Sequence, residues 1–441
     1  MSKKQVFFTG LMLFSLFFGA GNLIFPPLLG LESGSHFTPA MIGFLLTGVL
    51  LPFMAVLAVA TVDGGLISIG SRVGKVFGIV FASIIYLSIG AFYGIPRAAS
   101  VAYELGFQQF YQSDHRLTLI LFSILFFSVT FFICLNPKKI VQRVGEILTP
   151  LLLITLAILF VRAFFLFENT QAPVAKKYST TPFVTGFLEG YFTMDAVAAL
   201  AFGIVVVHAL KDSGLQTRRE QIKGTLGAGL IAAVGLALVY VSLGWIGVVM
   251  PKEAEFSDGA EILTTASQIL FGSTGSLLFS TIVLLACLTT CVGLINASAS
   301  FFQGLYPKFS YKFYVGLLSV IGFSVSSLGL NIILDIAAPM LMFIYPISIV
   351  LVALSLLEPL FGNGKMMYRF TVTFTFIYAI YEVLNSFQLN LDGIAQIIGF
   401  VPFFNLGLGW IFPAVIGGII GFFVDKLVGK EQFILPVQEK N

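Results

Sequence analysis

Residues 13–30 read LFSLFFGAGNLIFPPLLG. The stretch is apolar enough to enter a bilayer, yet Gly19-Ala20-Gly21-Asn22 stands at its centre and Pro26-Pro27 follows. In hydrocarbon an unsatisfied backbone group is costly, so a helix breaks there only where protein buries the break or the break lines a cavity. Pro26 and Pro27 lack an N–H, which leaves the carbonyls of Asn22 and Leu23 without helical donors. Gly19 and Gly21 offer the permissive backbone that an unwound turn needs. A kinked helix with a close-packing glycine face fits this one stretch equally well, and the rest of the chain has to decide.

The surrounding sequence is that of a polytopic helical membrane protein. Of 441 residues, 58% are hydrophobic and only 10% charged, and the mean hydropathy is +0.99. Apolar blocks recur at about 20 residues, the length that crosses roughly 30 Å of hydrocarbon. The aromatic content, dominated by 48 Phe, suits lipid-facing and helix-packing surfaces. A formal charge of +3 gives no support to a nucleic-acid partner. The MSKKQVFFTG start resembles a signal-peptide n-region, but the apolar run continues to about residue 31 without a small-residue cleavage pattern, so a retained first helix is expected. Cys134, Cys287 and Cys291 all lie inside apolar segments, which argues against a disulfide framework and for small core residues. His36, His115 and His208 are scattered without metal-ligand spacing.

Twelve spans are expected, at 6–30, 38–62, 76–96, 117–135, 147–167, 183–210, 225–250, 275–303, 312–329, 331–357, 368–386 and 401–425. The segment after the third, RAASVAYELGFQQFYQ, either extends that span or lies at the interface. With both termini in the cytoplasm, three-quarters of the 24 basic residues fall on the cytoplasmic side, as the positive-inside rule asks. The remainder, Arg97, Arg116, Arg162, Lys176, Lys177 and Lys252, fall outside. Two outward connectors are longer than a turn. Residues 168–182 read as an ordinary polar link. Residues 251–274 contain the semi-apolar ILTTASQIL, either a lid over the external mouth or a passive interfacial loop.

The sixth span, TPFVTGFLEGYFTMDAVAALAFGIVVVHALK, shifts the balance toward true breaks. Gly186, Glu189 and Gly190 interrupt its first half, and Thr193-Met194-Asp195-Ala196 places an acid at depth. An ionisable group there usually faces a pathway or a partner; a structural Asp195, bonded to backbone or to a polar neighbour, is the plainer alternative. Spans 1 and 6 stand five spans apart and enter from opposite sides, the relation of corresponding helices in two inverted five-helix repeats. The repeats would cover 6–167 and 183–357, with 368–425 supplying two further helices. In the eighth span, Ala286, Thr289 and Thr290 share one helix face. Two hydroxyls, a carbonyl and carbonyls of a facing unwound helix would suit a hard cation such as Na⁺, although a membrane threonine often only bonds back to its own helix. The tenth span carries Pro339, Pro346 and, near its outer end, Asp335; a kinked gate helix is one reading.

At these residues the chain resembles the branched-chain amino acid:cation symporter family, the BrnQ-type carriers, within the amino acid–polyamine–cation superfamily. The resemblance is carried by FFGAGNLIFPP (17–27), EGYFTMDAVAALAFG (189–203) and LTTCVGLINASASFF (288–302), and by length, span count and cytoplasmic termini over essentially the whole chain. It implies a leucine-transporter-like fold with broken helices 1 and 6. It also implies uptake of leucine, isoleucine and valine with Na⁺ or H⁺, and no organic cofactor. Carried over by position, the substrate carboxylate would meet the N–H groups of Ala20, Gly21 and Asn22, and the ammonium the carbonyls around Phe17, Tyr191 and Phe192, next to Thr193 and Asp195. Tyr86 would contribute from span 3. The cation would take the carbonyls of Ser15, Phe18 and Ala286 and the hydroxyls of Thr289 and Thr290. The shorter spacing from Gly-x-Gly-Asn to Phe-Pro in this chain leaves the register of Ser15 and Phe18 open by one residue.

The function expected is therefore secondary active uptake into the cell across the plasma membrane by alternating access, with oligomeric state open. A carrier of other amino acids or of nucleobases is the nearest rival, then an ion channel. An integral-membrane enzyme would need a catalytic constellation on its loops, where clustered His, Cys or acidic pairs are missing.

Overall fold

The computed structural model describes residues 3–62, 64–108, 115–135, 137–167, 173–212, 214, 215, 217–250, 256, 258–362, 364–387, 389 and 391–431. Lys252 and the connector residues 168–172 and 251–255 lie outside that set, as do the side chains of His115, His208, Lys138, Lys139 and Arg143.

Span 1 is two helices, Lys3–Phe17 and Ala20–Ser33, separated at Phe18 and Gly19. Pro26 and Pro27 are not in the gap but inside the second helix. Gly19 is extended, with φ −129° and ψ −166°, a conformation any residue adopts. Close approach, not permissive backbone, is thus what the glycines supply. A Cβ on Gly19 would stand 3.1 Å from Cγ2 of Thr290, and one on Gly21 would stand 2.7 Å from Cζ of Arg97.

Span 6 is also divided. Pro182–Glu189 passes through a tight 3₁₀ turn at Gly190–Thr193 into Asp195–Asp212, with a 45° bend between the halves. The hinge is Met194, left-handed at φ 67°. A non-glycine residue in that region carries strain that the surroundings must hold in place.

The other spans follow the expected order. Span 2 runs through Phe37–Leu45, a π-helical turn and Leu51–Ala60. Span 3 runs through Lys75–Leu87, a second π-helical turn at Ser88–Phe92 and Gly94–Gly106. Residues 97–106 therefore extend the third span; they are not an interfacial segment. Spans 4 and 5 are His115–Cys134 and Pro137–Leu166, and span 7 is Arg218–Val249. Span 8 is the long Gly259–Leu305, interrupted at Gly272 with φ 66°. Spans 9 to 12 are Tyr311–Ser326, Leu330–Phe361, Lys365–Ser386 and Ile411–Glu431. The last begins ten residues later than its apolar run, because 401–410 forms turns preceded by a short helix, Asp392–Ile398. Among the described residues six helices are long and apolar enough to cross a membrane unaided, and the bent pair of span 6 makes a seventh. The rest are divided by breaks or shortened, the pattern of a bundle that keeps its irregular backbone inside protein.

Backbone-to-backbone packing holds the broken spans. A Cβ on Gly30 would fall 1.8 Å from the Gly244 carbonyl oxygen, and one on Gly247 1.9 Å from that of Pro27, so the second half of span 1 lies directly on span 7. Gly43 and Gly186 do the same for spans 2 and 6, at 2.0 Å from Phe183 O and 1.9 Å from Ala40 O. Such small-residue seams replace the hydrophobic drive that lipid removes.

The described parts of both longer connectors fold onto the broken spans. In the first, Lys177 Nζ donates to Glu189 Oε1 and forms an ion pair with Glu32 Oε2, each at 2.8 Å, joining the two half-helices. Ala175 N donates to Glu32 O, and Tyr178 O pairs with His36 Nδ1 at 2.9 Å. In the second, Asp258 caps a helix by accepting from Glu261 N. That helix buries Ile262, Leu263, Ala266 and Leu270 and seats Gly259 on the Ile24 carbonyl of span 1. ILTTASQIL is thus helical and packs against the bundle.

Candidate functional site

The two breaks meet at Asn22. Its Oδ1 accepts from Gly19 N at 3.0 Å, half of a capping box that starts the second helix of span 1. Its Nδ2 donates to Asp195 Oδ2 at 3.0 Å, across the gap to span 6, and also to the Tyr240 hydroxyl. Tyr240, on span 7, in turn donates to Asp195 Oδ2. Asp195 opens the second half of span 6, where the positive end of the helix dipole favours a carboxylate. The N–H of Asp195 donates to Thr193 Oγ1, and that hydroxyl donates to Gly190 O at 2.9 Å. The buried acid therefore has polar partners from three spans, which is why it persists at that depth.

A second cluster comes from span 3. Arg97, only 5% exposed, reaches the break in span 6: Nη1 donates to Phe192 O and to the Tyr93 hydroxyl at 2.7 Å, and Nη2 donates to Thr193 O at 3.1 Å. Tyr93 also donates to Phe192 O, at 2.8 Å. The guanidinium carbon lies 4.4 Å from the Tyr93 ring centre and 5.7 Å from that of Phe25. The π-helical turn before Gly94 re-registers span 3 and sets this face toward the breaks.

Between the clusters lies a cavity of about 30 Å³, lined by Leu16, Phe17, Gly19, Ala20, Asn22, Gly94, Arg97, Ala98, Thr193, Met194, Asp195, Ala198, Phe202, Thr290 and Leu294. It has room for about one water molecule and none for an amino acid. A larger depression, about 260 Å³, is shallow and lies between spans 10 and 12 at Phe361, Asp425 and Lys426, away from the breaks.

Of the residues expected at the site, Phe17, Ala20, Asn22, Thr193, Asp195 and Thr290 line this cavity, and Gly21 lies under Arg97. Phe192 contributes its carbonyl, while its ring rests 5.8 Å from that of Phe25. Tyr191 turns away and stacks on Tyr345 of span 10 at 4.2 Å; its carbonyl accepts from Met194 N. Tyr86 is not brought to the cavity. It stacks on Phe301 at 4.0 Å and donates to Ala201 O, because it precedes the π-helical turn that redirects span 3. Thr289 and Thr290 both donate to Ala286 O, at 2.8 and 3.0 Å, which leaves their oxygen lone pairs as acceptors. Phe18 stacks on Phe14 at 5.2 Å, and Ser15 sits one turn before the gap. Sequence reasoning misses Tyr93, Arg97 and Tyr240. Ending the third span at 96 puts Arg97 on an outer loop; the small residues that follow it, AASVA, are the signal that the helix goes on.

A family profile described as branched-chain amino acid transport protein matches residues 2–428. The chain belongs to that family. Its members are transport proteins, which bears out the resemblance and the reading as a non-enzyme. Similar proteins include the branched-chain amino acid permease BrnQ of Bacillus subtilis, 41% identical over 96% of this chain and 98% of that one. BrnQ of Corynebacterium glutamicum is 41% identical over 96% of each chain, and BraB of B. subtilis 36% identical over 97% and 96%. Among solved structures, the inward-facing conformation of Mhp1 matches with a TM-score of 0.60 at 15% identity, over 97% of this chain and 91% of that one. Mhp1 in a closed conformation, described as a nucleobase-cation-symport-1 family transporter, gives 0.57 at 14%. This family member therefore has the Mhp1 fold, a leucine-transporter-like bundle with spans 1 and 6 broken.

Proposed function

We propose that the chain carries leucine, isoleucine and valine into the cell together with a cation, by alternating access at the junction of the two broken spans. The observation that supports this most is the meeting of both breaks at one buried point, where Asn22, Asp195, Thr193 and Arg97 bring polar groups of spans 1, 3 and 6 around one cavity. Its other walls, Leu16, Phe17, Ala198, Phe202 and Leu294, suit an aliphatic side chain. The relatives named as branched-chain amino acid permeases agree in substrate.

The coupling ion in this reading is Na⁺. Thr290 packs on Gly19 at the break, which supports a site made of the Thr289 and Thr290 hydroxyls, the Ala286 carbonyl and the carbonyls of Ser15 and Phe18. A cation bound there would join the two spans and set the break in the shape that accepts the amino acid. The rival ion is H⁺, with Asp195 as the group that carries it. A negative-inside potential adds about 2.3 kcal/mol per charge for each 100 mV, roughly fifty-fold in accumulation. Cytoplasmic termini and a plasma-membrane location complete the proposal, with the 6–167 and 183–357 halves as inverted repeats.

Labelled-leucine uptake into proteoliposomes, with Na⁺ and pH gradients imposed separately, tests it. Saturable uptake driven by Na⁺ alone, and competed by isoleucine and valine, is the expected result. Uptake driven only by the pH gradient would move the coupling to H⁺. Failure of leucine to compete against other amino acids or nucleobases would overturn the substrate.

A further inference from the structure

Arg97 is a buried cation without a direct ion pair. Among the described residues the ion pairs within 4 Å involve Arg72 and Lys177; none involves Arg97. The nearby acid, Asp195, is taken up by Asn22 and Tyr240. The guanidinium instead rests on two carbonyls, one hydroxyl and two ring faces. Burying a charge at mid-membrane on neutral partners alone is costly, and such residues mark a ligand path.

Its remaining valence has a definite shape. Of the five N–H groups of an arginine, both on Nη1 are engaged and one on Nη2. The Nε has no hydrogen-bond partner. Nε and Nη2 share one edge of the guanidinium plane, and N–H groups on that edge form the fork that takes both oxygens of a carboxylate. The guanidinium also lies against Gly21, second residue of the helix Ala20–Ser33, whose N-terminus favours an anion. Two independent features therefore converge on one point: a helix start, and packed against it a guanidinium without an ion-pair partner, nineteen-twentieths buried and with its Nε unbonded. Asp195 lines the same cavity. A positive and a negative side chain facing one small cavity complement a zwitterion, and a neutral ring such as a nucleobase has no use for them.

We propose that Arg97 is the specificity-determining residue for the substrate's α-carboxylate. Without substrate it rests on the Phe192 and Thr193 carbonyls, and on substrate entry its free edge takes the carboxylate beside Ala20 and Gly21. The ammonium is left to Asp195. This rests on the amino acid reading given above and adds a group that sequence reasoning places in a loop.

The test is uptake and competition in proteoliposomes of the full chain, with leucine and leucinamide as probes, in the wild type, Arg97→Gln and Arg97→Lys. Leucinamide keeps the side chain and the amine but has no carboxylate. The wild type is expected to favour leucine strongly. Arg97→Gln should raise the leucine KM by roughly 10- to 100-fold, the worth of a charged hydrogen bond, while the affinity for leucinamide stays put, so discrimination collapses. Arg97→Lys keeps the charge but loses the fork, and about a tenfold rise in KM is expected. A merely structural Arg97 would lower uptake of both probes alike and leave their ratio unchanged, which overturns the proposal. Should Arg97→Gln fail to fold, as judged by gel filtration, Arg97→Lys decides: a KM and ratio within about twofold of wild type overturn the proposal as well. Absence of saturable leucine uptake in the wild type would instead defeat the transport reading itself.

Discussion

Gly21→Ala isolates the contact between the two clusters. The added Cβ would sit 2.7 Å from Cζ and Nη1 of Arg97 and 2.8 Å from Nη2, with ordinary contact beginning near 3.4 Å. Because the obstructing atoms end a flexible side chain, the backbone keeps its place and the guanidinium shifts by about 0.7 Å. The Nη2–Thr193 O bond, now 3.1 Å, would then stretch beyond hydrogen-bond range, and the Nη1 bonds would weaken. Losing one charged hydrogen bond costs about 1.5–3 kcal/mol, and exchanging glycine for alanine in a helix returns about 0.5–1 kcal/mol. The net cost is about 1–2 kcal/mol of folding stability. Combining Gly21→Ala with Arg97→Gln removes the clash, so the double variant should be no less stable than Arg97→Gln alone. A double-mutant cycle on thermal unfolding in detergent, in which the coupling should reach about 1–2 kcal/mol, reads this directly. Effects that simply add would refute the argument, because the two residues would then not share a contact.

Gly186→Ala is different in kind, since its Cβ meets the Ala40 carbonyl at 1.9 Å; spans 2 and 6 must move apart, and thermal unfolding in detergent should show a loss of at least 1–3 kcal/mol, roughly. Thr289→Ala and Thr290→Ala should lower cation affinity and coupled uptake without lowering the melting temperature; unchanged Na⁺ dependence in both would remove the site from span 8. Tyr240→Phe withdraws one of two side-chain donors to Asp195, and uptake should fall by about 10-fold or more while gel filtration stays monodisperse. Lys177 is pulled down by its burial, but Glu189 and Glu32 outweigh that and leave it above the usual lysine value. Its stabilising share is thus complete below about pH 10.4 and is lost only as pH rises through the folded value. Melting curves of wild type and Lys177→Ala should accordingly differ by a constant amount from pH 7 to 9 and converge in strong alkali.

The breaks are legible because glycine, proline and a buried acid are each anomalous in hydrocarbon, and their coincidence five spans apart has few explanations. Their chemistry is less so. Gly19 suggests backbone freedom, whereas its φ is ordinary and Thr290 explains it; proximity across 271 positions leaves no trace in a single sequence. Tyr86 and Tyr93 both occupy an apolar span, and only the π-helical turn between them decides that Tyr93, not Tyr86, faces the breaks. Tyr240 sits in a run of aliphatic residues with nothing beside it to mark it. The last span starts later than its apolar run because hydropathy does not distinguish apolar turns from apolar helix.

Lys177 grips Glu32 and Glu189 at once, the first near the far end of the second half of span 1 and the second beside the turn that breaks span 6. One ammonium group thereby acts as a rivet through both half-helices. Any excursion that spreads these ends must first sever a couple of partly wetted ion pairs, and such pairs weaken as ions crowd around them. The ease of unsealing this side should then follow the saltiness of the medium bathing it, quite apart from how much of the driving cation that medium holds.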